Sequence, residues 1–594
     1  MDLSHADAGA VRCRQRLAGG ASALHASSVE WRIGGDQGEG IDATGDVFAT
    51  VAARLGYHVY TSKFFSSRIK GGHTHYTVRL ADVPVRAPAA RVDVLVALTQ
   101  ETIVRSLPEL GPGAPIIADA AFRSEAPAGG GRLVSVPLTA IAREIGTTLV
   151  RNMVAVGASA AVLGLPLSEF ARYVEEKFAR KGATTVRQNL DALERGHRLA
   201  MGEAGPALPP RAPGDRVLLT GNDAVALGAL AAGCRLMAAY PITPATDIME
   251  TFADLAPKFG GAVCQMEDEL AAITAAIGAG YAGARVMTAT SGPGLSLMQE
   301  GIGLASMAEV PVLIIDVQRA GPSTGMPTKN EQSDLMAAIF GGHGEGERIV
   351  IAPATPEEAF ADAQLAFNLA ERYQCPVILL SDLALGVFQQ TVNPGALVSL
   401  PADRGQVLAA PDAGFARHHV TDDGISPRTL PGTPLGQYLA TGVEHAPSGK
   451  VSEDPANRTA QVSKRQRKLL PLQASADALR LEGTVGADIV LVGFGSTSGA
   501  IAEAAAALSE SVRVGTVQVH QLWPLPAGQL QKALRDARSV LVVEQNSTGE
   551  LRQLMRVAGL DGQRVHSLLH SDGTLLRPDA IEAAAQRLLA REAV

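Results

Sequence analysis

The feature that most constrains the fold of this chain is the regular alternation between short apolar runs and longer segments of helical periodicity. In the middle of the sequence, the runs RVMTAT, VPVLIIDV and CPVILLSD are separated by helix-like stretches. Successive strands that are joined by helices pair in parallel, and the helices pack on both faces of the sheet. The pattern therefore predicts a doubly wound parallel sheet whose functional loops follow the carboxyl ends of its strands.

The same alternation continues on both sides of the middle region. Before it, SVEWRIGG, IDATGDVFATVAARLG and YHVYTSKFF read as strand, helix and strand, and after it ADIVLVGFGSTSGAIAEAAAAL and ARSVLVVEQNSTGELRQLM repeat the pattern. Glycine is abundant at 62 residues, and only 4% of residues are aromatic, which favours helices packed closely on parallel sheets. The predicted fold class is multidomain α/β.

Two stretches rich in proline and charge divide the chain. They predict a first domain over residues 1–204, a linker over 205–215, a second domain over 216–390, an irregular connecting segment over 391–485 and a third domain over 486–594. A long irregular stretch within a compact protein is usually either disordered or a functional covering loop. Both alternatives are open for residues 391–485.

Charge, cysteine spacing and hydropathy exclude several classes of protein. A formal net charge of -8 argues against a general nucleic-acid binder, whose surface would be basic. Cys13, Cys234, Cys264 and Cys375 form no CxxC, so neither a disulfide framework nor a local zinc or iron-sulfur site is expected. No apolar run reaches the ~18 residues of a membrane span, and the N-terminal residues lack the apolar core of a secretory signal. We expect a cytoplasmic protein.

The loop GGDQGEG follows the first predicted strand and has the glycines of a phosphate-cradling turn at a helix N-terminus. However, Asp36 and Glu39 lie within the loop and would repel a phosphate. A tight structural turn is therefore an equally good interpretation.

The nearby stretch SSRIKGGHTHYTVRL combines basic residues with a glycine pair. These residues, which would suit an anionic partner or form a solvated basic hairpin, are Arg68, Lys70, Gly71 and Gly72. His73 and His75 follow them without a third ligand nearby, so we predict no metal site here.

The stretch QMEDELAAITAAIGAG places Glu267, Asp268 and Glu269 at the head of a very apolar predicted helix. Carboxylates in a first helical turn stabilise the helix dipole, so all three could have a structural role. Alternatively, one of them is placed to do chemistry. The residues of this stretch alone do not decide between these alternatives.

An ordered set of motifs resembles the alpha subunit of the 2-oxoacid:ferredoxin oxidoreductases, in particular the gamma-fused form found in 2-oxoglutarate:ferredoxin oxidoreductases. The motifs of the middle region are GNDAVALGALAAG, AYPITPATDIME, QMEDELAAITAAIGAGYAGARVMTATSGPGLSLMQEGIG, VPVLIIDVQRAGPSTGMPTKNEQSDL and CPVILLSDLALG. The flanking motifs are GGDQGEG with IKGGHTHYTVR before them, and VGFGSTSGAI, LWPLP and VVEQNSTGEL after them. The resemblance covers nearly the whole chain.

The resemblance implies a gamma domain over residues 1–204, a thiamine diphosphate pyrimidine-binding domain over 216–390 and a transketolase C-terminal-like domain over 486–594. The implied reaction converts 2-oxoglutarate, CoA and oxidised ferredoxin into succinyl-CoA, CO2 and reduced ferredoxin, reversibly. The nearest alternative is the same chemistry on pyruvate or another 2-oxoacid. An alternative of a different class is a non-catalytic scaffold that binds nucleotides through GGDQGEG and GFGSTSG.

The resemblance also assigns site residues. The motif that contains TSGPG places the family's catalytic glutamate on Glu269, which would share a proton with N1′ of the thiamine aminopyrimidine, and helix capping remains the alternative. It assigns Thr243 and Arg319 to the 2-oxoacid, with a surface ion pair as the alternative for Arg319, while Lys329 would contact a second carboxylate or be solvated. The implied cofactor-binding residues are Tyr240, Pro241, Ile242, Glu269, Ser291 and Gly292, and the implied CoA-binding residues are Arg68, Lys70, Gly71 and Gly72.

Two features of the family's active complex are missing from the sequence. The chain has no GDG motif for gripping the diphosphate through Mg²⁺, and its cysteines are too scattered for a local cluster. We therefore expect a beta subunit that carries the diphosphate and Mg²⁺ site together with a [4Fe-4S] cluster. Ferredoxin is the expected electron acceptor, and no metal is expected on this chain.

Overall fold

The computed structural model describes residues 27–65, 72–122 and 131–592. The first region of the chain has strands and helices in the predicted order. Its elements are β1 (Ser28–Asp36), α1 (Ile41–Arg54), β2 (His58–Phe64), β3 (His73–Ala81), β4 (Val94–Ala97), α2 (Gln100–Ser106), β5 (Pro115–Asp119), β6 (Arg132–Val136), α3 (Leu138–Ile145), α4 (Arg151–Val162), α5 (Leu167–Phe178) and α6 (Ala183–Ala200).

The middle region alternates between strands and helices throughout. Its elements are β7 (Val217–Leu219), α7 (Gly221–Ala231), β8 (Leu236–Ala239), α8 (Thr246–Leu255), β9 (Ala262–Gln265), α9 (Glu269–Tyr281), β10 (Val286–Thr290), α10 (Gly292–Met307), β11 (Val312–Gln318), α11 (Leu335–Phe340), β12 (Ile349–Ile351), α12 (Pro356–Tyr373), β13 (Pro376–Asp382), α13 (Leu383–Val387) and β14 (Gln390–Val392).

The last region repeats this pattern after one isolated helix. Its elements are α14 (Pro455–Arg467), β15 (Leu479–Glu482), β16 (Ile489–Gly493), α15 (Thr497–Leu508), β17 (Val514–Val519), β18 (Gln521–Trp523), α16 (Ala527–Leu534), β19 (Ser539–Glu544), α17 (Glu550–Val557), β20 (Val565–Leu569) and α18 (Pro578–Glu592).

The strands form three sheets of eight, seven and five strands. In the central sheet, β9, β8, β10, β11, β13 and β12 lie side by side in that order, and all of these neighbours are parallel. The third sheet is parallel from β17 through β16 and β19 to β20, and antiparallel β15 lies at its edge. The predicted α/β class with doubly wound parallel sheets is confirmed.

Strands cross between the regions at two sheet edges. The first sheet, ordered β6-β5-β4-β1-β3-β2-β14-β7, ends in two strands that flank the middle region of the sequence. Likewise, β18 joins the edge of the central sheet by pairing antiparallel with β12. Because pairing satisfies the exposed N–H and C=O groups of an edge strand, these exchanges join the three regions. The predicted domain boundaries remain a prediction.

In the first region, α1 packs on the sheet and α4 packs closely on α6. The ring of Trp31 in β1 stacks on Phe48 of α1 with centroids 4.1 Å apart. Helices α4 and α6 meet through two glycines: a Cβ on Gly157 would lie 2.0 Å from the Leu193 carbonyl oxygen, and one on Gly196 would lie 1.9 Å from that of Val154. Only glycine permits backbones to approach this closely.

The connecting segment packs against the amino-terminal edge of the central sheet. Glu309, just before β11, is fully buried and lies 2.6 Å from the Lys464 ammonium and 3.3 Å from that of Lys468. His418 Nδ1 lies 3.2 Å from the same carboxylate. Although burial alone would raise it, the neighbouring Lys468, His418 and Lys464 hold the pKa of Glu309 well below its usual value.

A second buried carboxylate holds the segment at the same edge. Glu371, near the end of α12, pairs with Arg285 at 2.8 Å, with Arg404 at 2.9 Å and with Arg428 at 3.3 Å. Arg404 and Arg428 belong to the connecting segment, so this cluster and the Glu309 cluster fix it by ionic contacts. The segment therefore lies at the edge opposite to the loops at which the functional residues were predicted, and these contacts do not cover them.

Within the described ranges, no helix is both long and apolar enough to cross a membrane.

Candidate active site

The predicted site residues lie in loops at the carboxyl-terminal edge of the central sheet. Tyr240 follows β8, Glu269 follows the loop after β9, Ser291 follows β10 and Arg319 follows β11. Since these strands are parallel neighbours, their carboxyl ends converge on one edge. The topology therefore brings together residues that are up to 79 positions apart in the chain.

The three carboxylates at the head of α9 have different environments. Glu267 is exposed, whereas Asp268 is the N-cap of α9 and its Oδ1 accepts a hydrogen bond from the Ala271 N–H at 2.8 Å. Glu269 is the first helical residue and is only 5% exposed. Because Asp268 already caps the helix, capping does not account for the buried carboxylate of Glu269.

The Glu269 carboxylate lies under the start of α10. A Cβ on Gly294 would be 2.6 Å from Glu269 Oε1 and 2.0 Å from the Thr290 hydroxyl oxygen. Both are well inside the distance at which side-chain atoms can coexist. Glycine at position 294 therefore leaves the space that the carboxylate of Glu269 uses beside the TSGPG loop.

The loop YPITP is held from two sides. Asn222 Nδ2 donates a hydrogen bond to the Pro244 carbonyl at 2.8 Å, and a guanidinium N–H of Arg319 donates to the carbonyl of Thr243. Tyr240 and Thr243 are exposed, while Pro241 and Ile242 are half-buried. The Thr243 side chain is therefore open to a ligand while its backbone is fixed.

The loop after β10 begins helix α10. Ser291 is buried and donates from its hydroxyl to the Val317 carbonyl at 2.8 Å, so this hydroxyl is used within the protein. Gly292 is the first residue of α10, and a Cβ there would lie 2.8 Å from both carboxylate oxygens of Asp334. The Ser291 hydroxyl is therefore not free to bind a ligand, and a contact with a ligand here would have to come from the backbone of the loop.

Arg319 is 6% exposed and does not form the surface ion pair that is the alternative to substrate binding. Its guanidinium donates to the carbonyls of Thr243 and Thr324, while its Nε is buried without a partner among the described residues. Burial lowers the pKa of Arg319 from its usual value. Arg319 thus joins the YPITP loop to the loop that follows β11, and it is a desolvated cation at the site.

Two acidic residues that the sequence analysis did not identify lie beside this site. Asp316 in β11 is 0% exposed, and neither of its carboxylate oxygens has a hydrogen-bond partner among the described residues. Burial and the nearby Asp334 raise its pKa well above the usual value, and burial with Glu550 and Glu331 raises that of Asp334 to about 7. Asp316 is the only charged residue in the otherwise apolar run VLIIDV, and this position in a buried strand could have identified it from the sequence.

Lys329 is half-buried at the junction between the middle region and the first region. Its ammonium nitrogen lies 3.4 Å from the centroid of the Phe64 ring at the end of β2. Burial lowers the pKa of Lys329 to about 8. Lys329 is therefore not a freely solvated side chain, and its ammonium is held in a defined position.

The GGDQGEG loop is closed by its own carboxylate. Glu39 Oε2 accepts a hydrogen bond from the Asp36 N–H at 2.9 Å, and Glu39 Oε1 accepts one from Arg151 at 2.7 Å. An anion is therefore already present where a phosphate would bind, which favours the structural-turn interpretation. The carbonyl of Gly72 accepts a hydrogen bond from the Gln37 N–H at 3.0 Å, so the backbone of Gly72 contacts this loop. Arg68, Lys70 and Gly71 lie outside the described residues.

The GFGSTSG turn is also filled by protein. A Cβ on Gly495 would lie 2.8 Å from Gln332 Nε2 and 2.9 Å from Asp382 Oδ2. A Cβ on Gly499 would lie 2.4 Å from the Arg86 carbonyl oxygen. These glycines permit contacts between regions, which does not favour the nucleotide-binding scaffold.

The described part of the chain offers one group of three side chains that could hold a metal ion, namely Glu309, His418 and His445. Lys464 and Lys468 already compensate the charge of its carboxylate. The rings of His73 and His75 lie 5.8 Å apart and do not belong to such a group. The arrangement does not favour a metal centre on these residues.

Three protein-family models match successive parts of the chain. They are described as "Pyruvate ferredoxin/flavodoxin oxidoreductase" over residues 30–199, "Pyruvate flavodoxin/ferredoxin oxidoreductase, thiamine diP-bdg" over 227–464 and "Pyruvate:ferredoxin oxidoreductase core domain II" over 487–581. The candidate site lies within the second match.

Similar proteins extend over nearly the whole chain. The 2-oxoacid:ferredoxin oxidoreductase 2 subunit alpha of Aeropyrum pernix is 33% identical, with 94% of this chain and 97% of that protein covered. The 2-oxoglutarate synthase subunit KorA of Methanothermobacter marburgensis is 38% identical over 62% of this chain and 97% of its own length. A solved structure of 2-oxoglutarate:ferredoxin oxidoreductase from Magnetococcus marinus with 2-oxoglutarate, coenzyme A and succinyl-CoA bound matches with a TM-score of 0.91, 35% identity, and 95% and 100% coverage of the two chains.

Proposed function

The chain belongs to the alpha subunits of the thiamine diphosphate-dependent 2-oxoacid:ferredoxin oxidoreductases, and from this premise we propose that its substrate is 2-oxoglutarate. The proposed reaction is the reversible oxidative decarboxylation of 2-oxoglutarate with CoA to succinyl-CoA and CO2, with ferredoxin as the electron acceptor. The observation that carries the assignment of the site is the buried carboxylate of Glu269 beside Gly294 and Thr290.

The site fits the pyrimidine end of thiamine diphosphate. A buried carboxylate that does not cap its helix is suited to share a proton with a ring nitrogen, and glycine at position 294 leaves room for this carboxylate. Thiamine diphosphate, when bound, supplies the electron sink for decarboxylation. Glu269 would hold the proton at its carboxylate, while Tyr240, Pro241, Ile242, Ser291 and Gly292 would shape the walls around the cofactor.

The cationic groups at the edge of the site support a dicarboxylic substrate. Arg319 is positioned to bind the 2-oxoacid carboxylate beside the exposed hydroxyl of Thr243. Lys329 supplies a second, partly desolvated cation on the same loop after β11, which suits the distal carboxylate of 2-oxoglutarate. The names of the relatives from M. marburgensis and M. marinus include 2-oxoglutarate, which agrees with this choice.

We propose that a beta subunit completes the site. The chain has no GDG motif for a Mg²⁺-diphosphate grip. Among its cysteines, Cys234 and Cys375 are buried, Cys264 is exposed and Cys13 lies outside the described residues. The beta subunit would therefore carry Mg²⁺ and a [4Fe-4S] cluster.

Helix α9 offers a surface for this beta subunit. No charged side chain occurs from Leu270 to Tyr281, although Leu270 is 50% exposed and Thr274 and Gly278 also face outward. An uncharged outward face on a helix that begins with Glu269 is suited to pack against a partner. CoA would approach from the first region, where Arg68, Lys70, Gly71 and Gly72 are the proposed contacts for its phosphates.

The test is to coexpress the chain with the beta subunit and to measure CoA-dependent reduction of ferredoxin by 2-oxoglutarate and by pyruvate. We expect turnover with 2-oxoglutarate and a complex that contains thiamine and iron. Preferential turnover of pyruvate would contradict the substrate assignment only. A complex that contained neither thiamine nor iron would overturn the assigned chemistry.

A further inference from the structure

The Lys329 ammonium is held by an aromatic ring rather than by an acid. Its nitrogen lies 3.4 Å from the centroid of Phe64, and none of the ion pairs among the described residues includes it. Burial is the cause of its lowered pKa, so its charge is partly desolvated without being neutralised. An ammonium in this state retains its capacity to bind an anion.

A second ring packs against Phe64. His75 stacks on Phe64 with centroids 5.2 Å apart and an interplanar angle of 13°. Burial, together with Arg32, His73 and Lys329, lowers the pKa of His75 well below its usual value. Among the residues that the structure describes, Lys329 is the one cation that contacts this ring, and the stacked His75 holds the ring in its orientation.

The position of Phe64 is defined by the first sheet. Phe64 is the last residue of β2 and pairs with His75 of β3, and its carbonyl accepts a hydrogen bond from the Thr74 hydroxyl at 2.7 Å. On the other side, the Lys329 carbonyl accepts from the Ala320 N–H at 3.0 Å. Both the ring and the base of the lysine side chain are therefore anchored in backbone structure.

Gly573 of the third region packs against the base of the Lys329 side chain. A Cβ on Gly573 would lie 2.9 Å from Lys329 Cβ and 3.0 Å from Met326 Cε. Gly573 has a φ of +79°, which glycine adopts readily. The loop that carries Lys329 thus lies between Phe64 of the first region and Gly573 of the third.

We propose that Phe64 is a positioning residue that sets the preference of the enzyme for 2-oxoacids with a second carboxylate, because it holds the Lys329 ammonium toward the substrate. This inference rests on the proposed function and deepens it. It assigns to the first region, which contributes no residue to the proposed thiamine site, a role in choosing the substrate.

The chemistry favours a ring over an acid in this role. A lysine side chain has four rotatable bonds, and fixing them before the substrate arrives lowers the entropic cost of binding. A protein carboxylate would fix them too, but it would neutralise the ammonium and compete with the substrate. An aromatic face attracts the cation and leaves its N–H donors available.

The experiment compares two substrates that differ only in the distal carboxylate, namely 2-oxoglutarate and 2-oxopentanoate, in the assembled complex. In Phe64→Leu we expect KM for 2-oxoglutarate to rise about tenfold, equivalent to about 1.4 kcal/mol, with a much smaller change in kcat. The ratio of kcat/KM for 2-oxoglutarate to that for 2-oxopentanoate should fall by the same factor. Phe64→Tyr retains an aromatic face and should restore the ratio.

The control variant is Phe259→Leu, which removes a ring that lies 5.9 Å from the Arg235 guanidinium on another part of the surface. It should not change the ratio. In a Lys329→Met background, Phe64→Leu should have no further effect, because its role requires the ammonium.

An unchanged substrate ratio in a folded Phe64→Leu complex that uses 2-oxoglutarate would overturn the inference and leave the proposed function intact. If Phe64→Tyr lowered the ratio of kcat/KM for the two substrates as much as Phe64→Leu does, the contact would act through packing alone, and the inference would also be wrong. A wild-type complex that did not turn over 2-oxoglutarate would instead overturn the proposed substrate, and with it this inference.

Discussion

At the scale of single residues, adjacent positions in α9 have different tasks. Asp268 caps the helix through its hydrogen bond to the Ala271 N–H, and Glu269 turns its carboxylate into the space beside Gly294. The sequence shows three carboxylates in a row but not which one is buried, because that depends on how α9 lies against α10. The resemblance to a family, rather than the pattern, selected Glu269.

We predict that Glu269→Gln abolishes turnover while leaving the fold intact. An amide has nearly the same shape as a carboxylate but cannot share a proton with N1′ of the aminopyrimidine, so the loss should be at least about 10²-fold. The measurement is the rate at which the thiazolium C2 proton of the cofactor exchanges in the assembled complex.

The matched control is Glu267→Gln, which changes an exposed carboxylate two positions away. It should leave both the exchange rate and the turnover close to those of the wild type. Wild-type exchange in Glu269→Gln would remove Glu269 from its proposed role, whatever its effect on turnover.

At the scale of secondary-structure elements, local patterns in the sequence predicted the strands and helices but not which distant strands pair with each other. The strands and helices of the central sheet follow the predicted order because apolar periodicity reports which faces are buried. By contrast, the pairing of β14 with β2 joins residues 330 positions apart, and the pairing of β18 with β12 joins residues 173 positions apart. No local pattern encodes such contacts, so the sequence alone did not reveal that the three regions share sheets.

The contacts of the connecting segment could not be predicted from local sequence patterns either. Its sequence lacks periodicity, and it is fixed instead by buried ion pairs with Glu309 and Glu371. Each charge in such a cluster needs a specific partner, since an unpaired buried charge costs far more than an exposed one. The lysines, arginines and histidines that provide these contacts looked like ordinary solvated residues in the sequence.

We predict that the connecting segment loosens as the pH falls below about 6.5. Burial, with Arg417 and His445 nearby, lowers the pKa of His418 to about 3 despite its contact with Glu309. A detached segment binds a proton below the usual histidine pKa of about 6.5, whereas the packed segment does not, so stability is present above pH 6.5 and is lost toward pH 3. At pH 5 the loss is about 2 kcal/mol.

Amide hydrogen exchange of residues 404–468 at pH 7 and pH 5, corrected for the intrinsic rate, measures this effect. Lys464 and Lys468 contact the Glu309 carboxylate that His418 also contacts, and the ring of His445 lies 3.9 Å from that of His418. His418→Asn cannot titrate and should reduce the pH dependence of protection. The control His343→Asn removes an exposed histidine and should not. Equal pH dependence in the wild type and His418→Asn would contradict the prediction.

At the scale of the whole molecule, the two edges of the central sheet have different surroundings. Loops that follow three strands bring Glu269, Thr243 and Arg319 to one edge of the central sheet, and the first region places Phe64 against Lys329. The opposite edge is occupied by the connecting segment. We propose that a partner covers the edge that carries the candidate site, because the uncharged outward face of α9 lies beside it.

We predict that the separately expressed chain binds neither thiamine diphosphate tightly nor any iron, and that it is inactive until the beta subunit is added. Without a GDG motif it has no Mg²⁺-diphosphate grip, and its scattered cysteines cannot easily supply the four thiolates of a typical cluster. Calorimetric titration with thiamine diphosphate and Mg²⁺, iron analysis, and an assay before and after addition of the beta subunit measure the three parts.

Leu270→Glu places a charge on the outward face of α9 and should weaken association with the beta subunit, whereas Val557→Glu, on an exposed position of α17, should not. If the isolated chain copurified with a stoichiometric cluster, or decarboxylated 2-oxoglutarate unaided, the two-chain site would be wrong. In that case the buried carboxylate of Glu269 would have to act with groups of this chain alone.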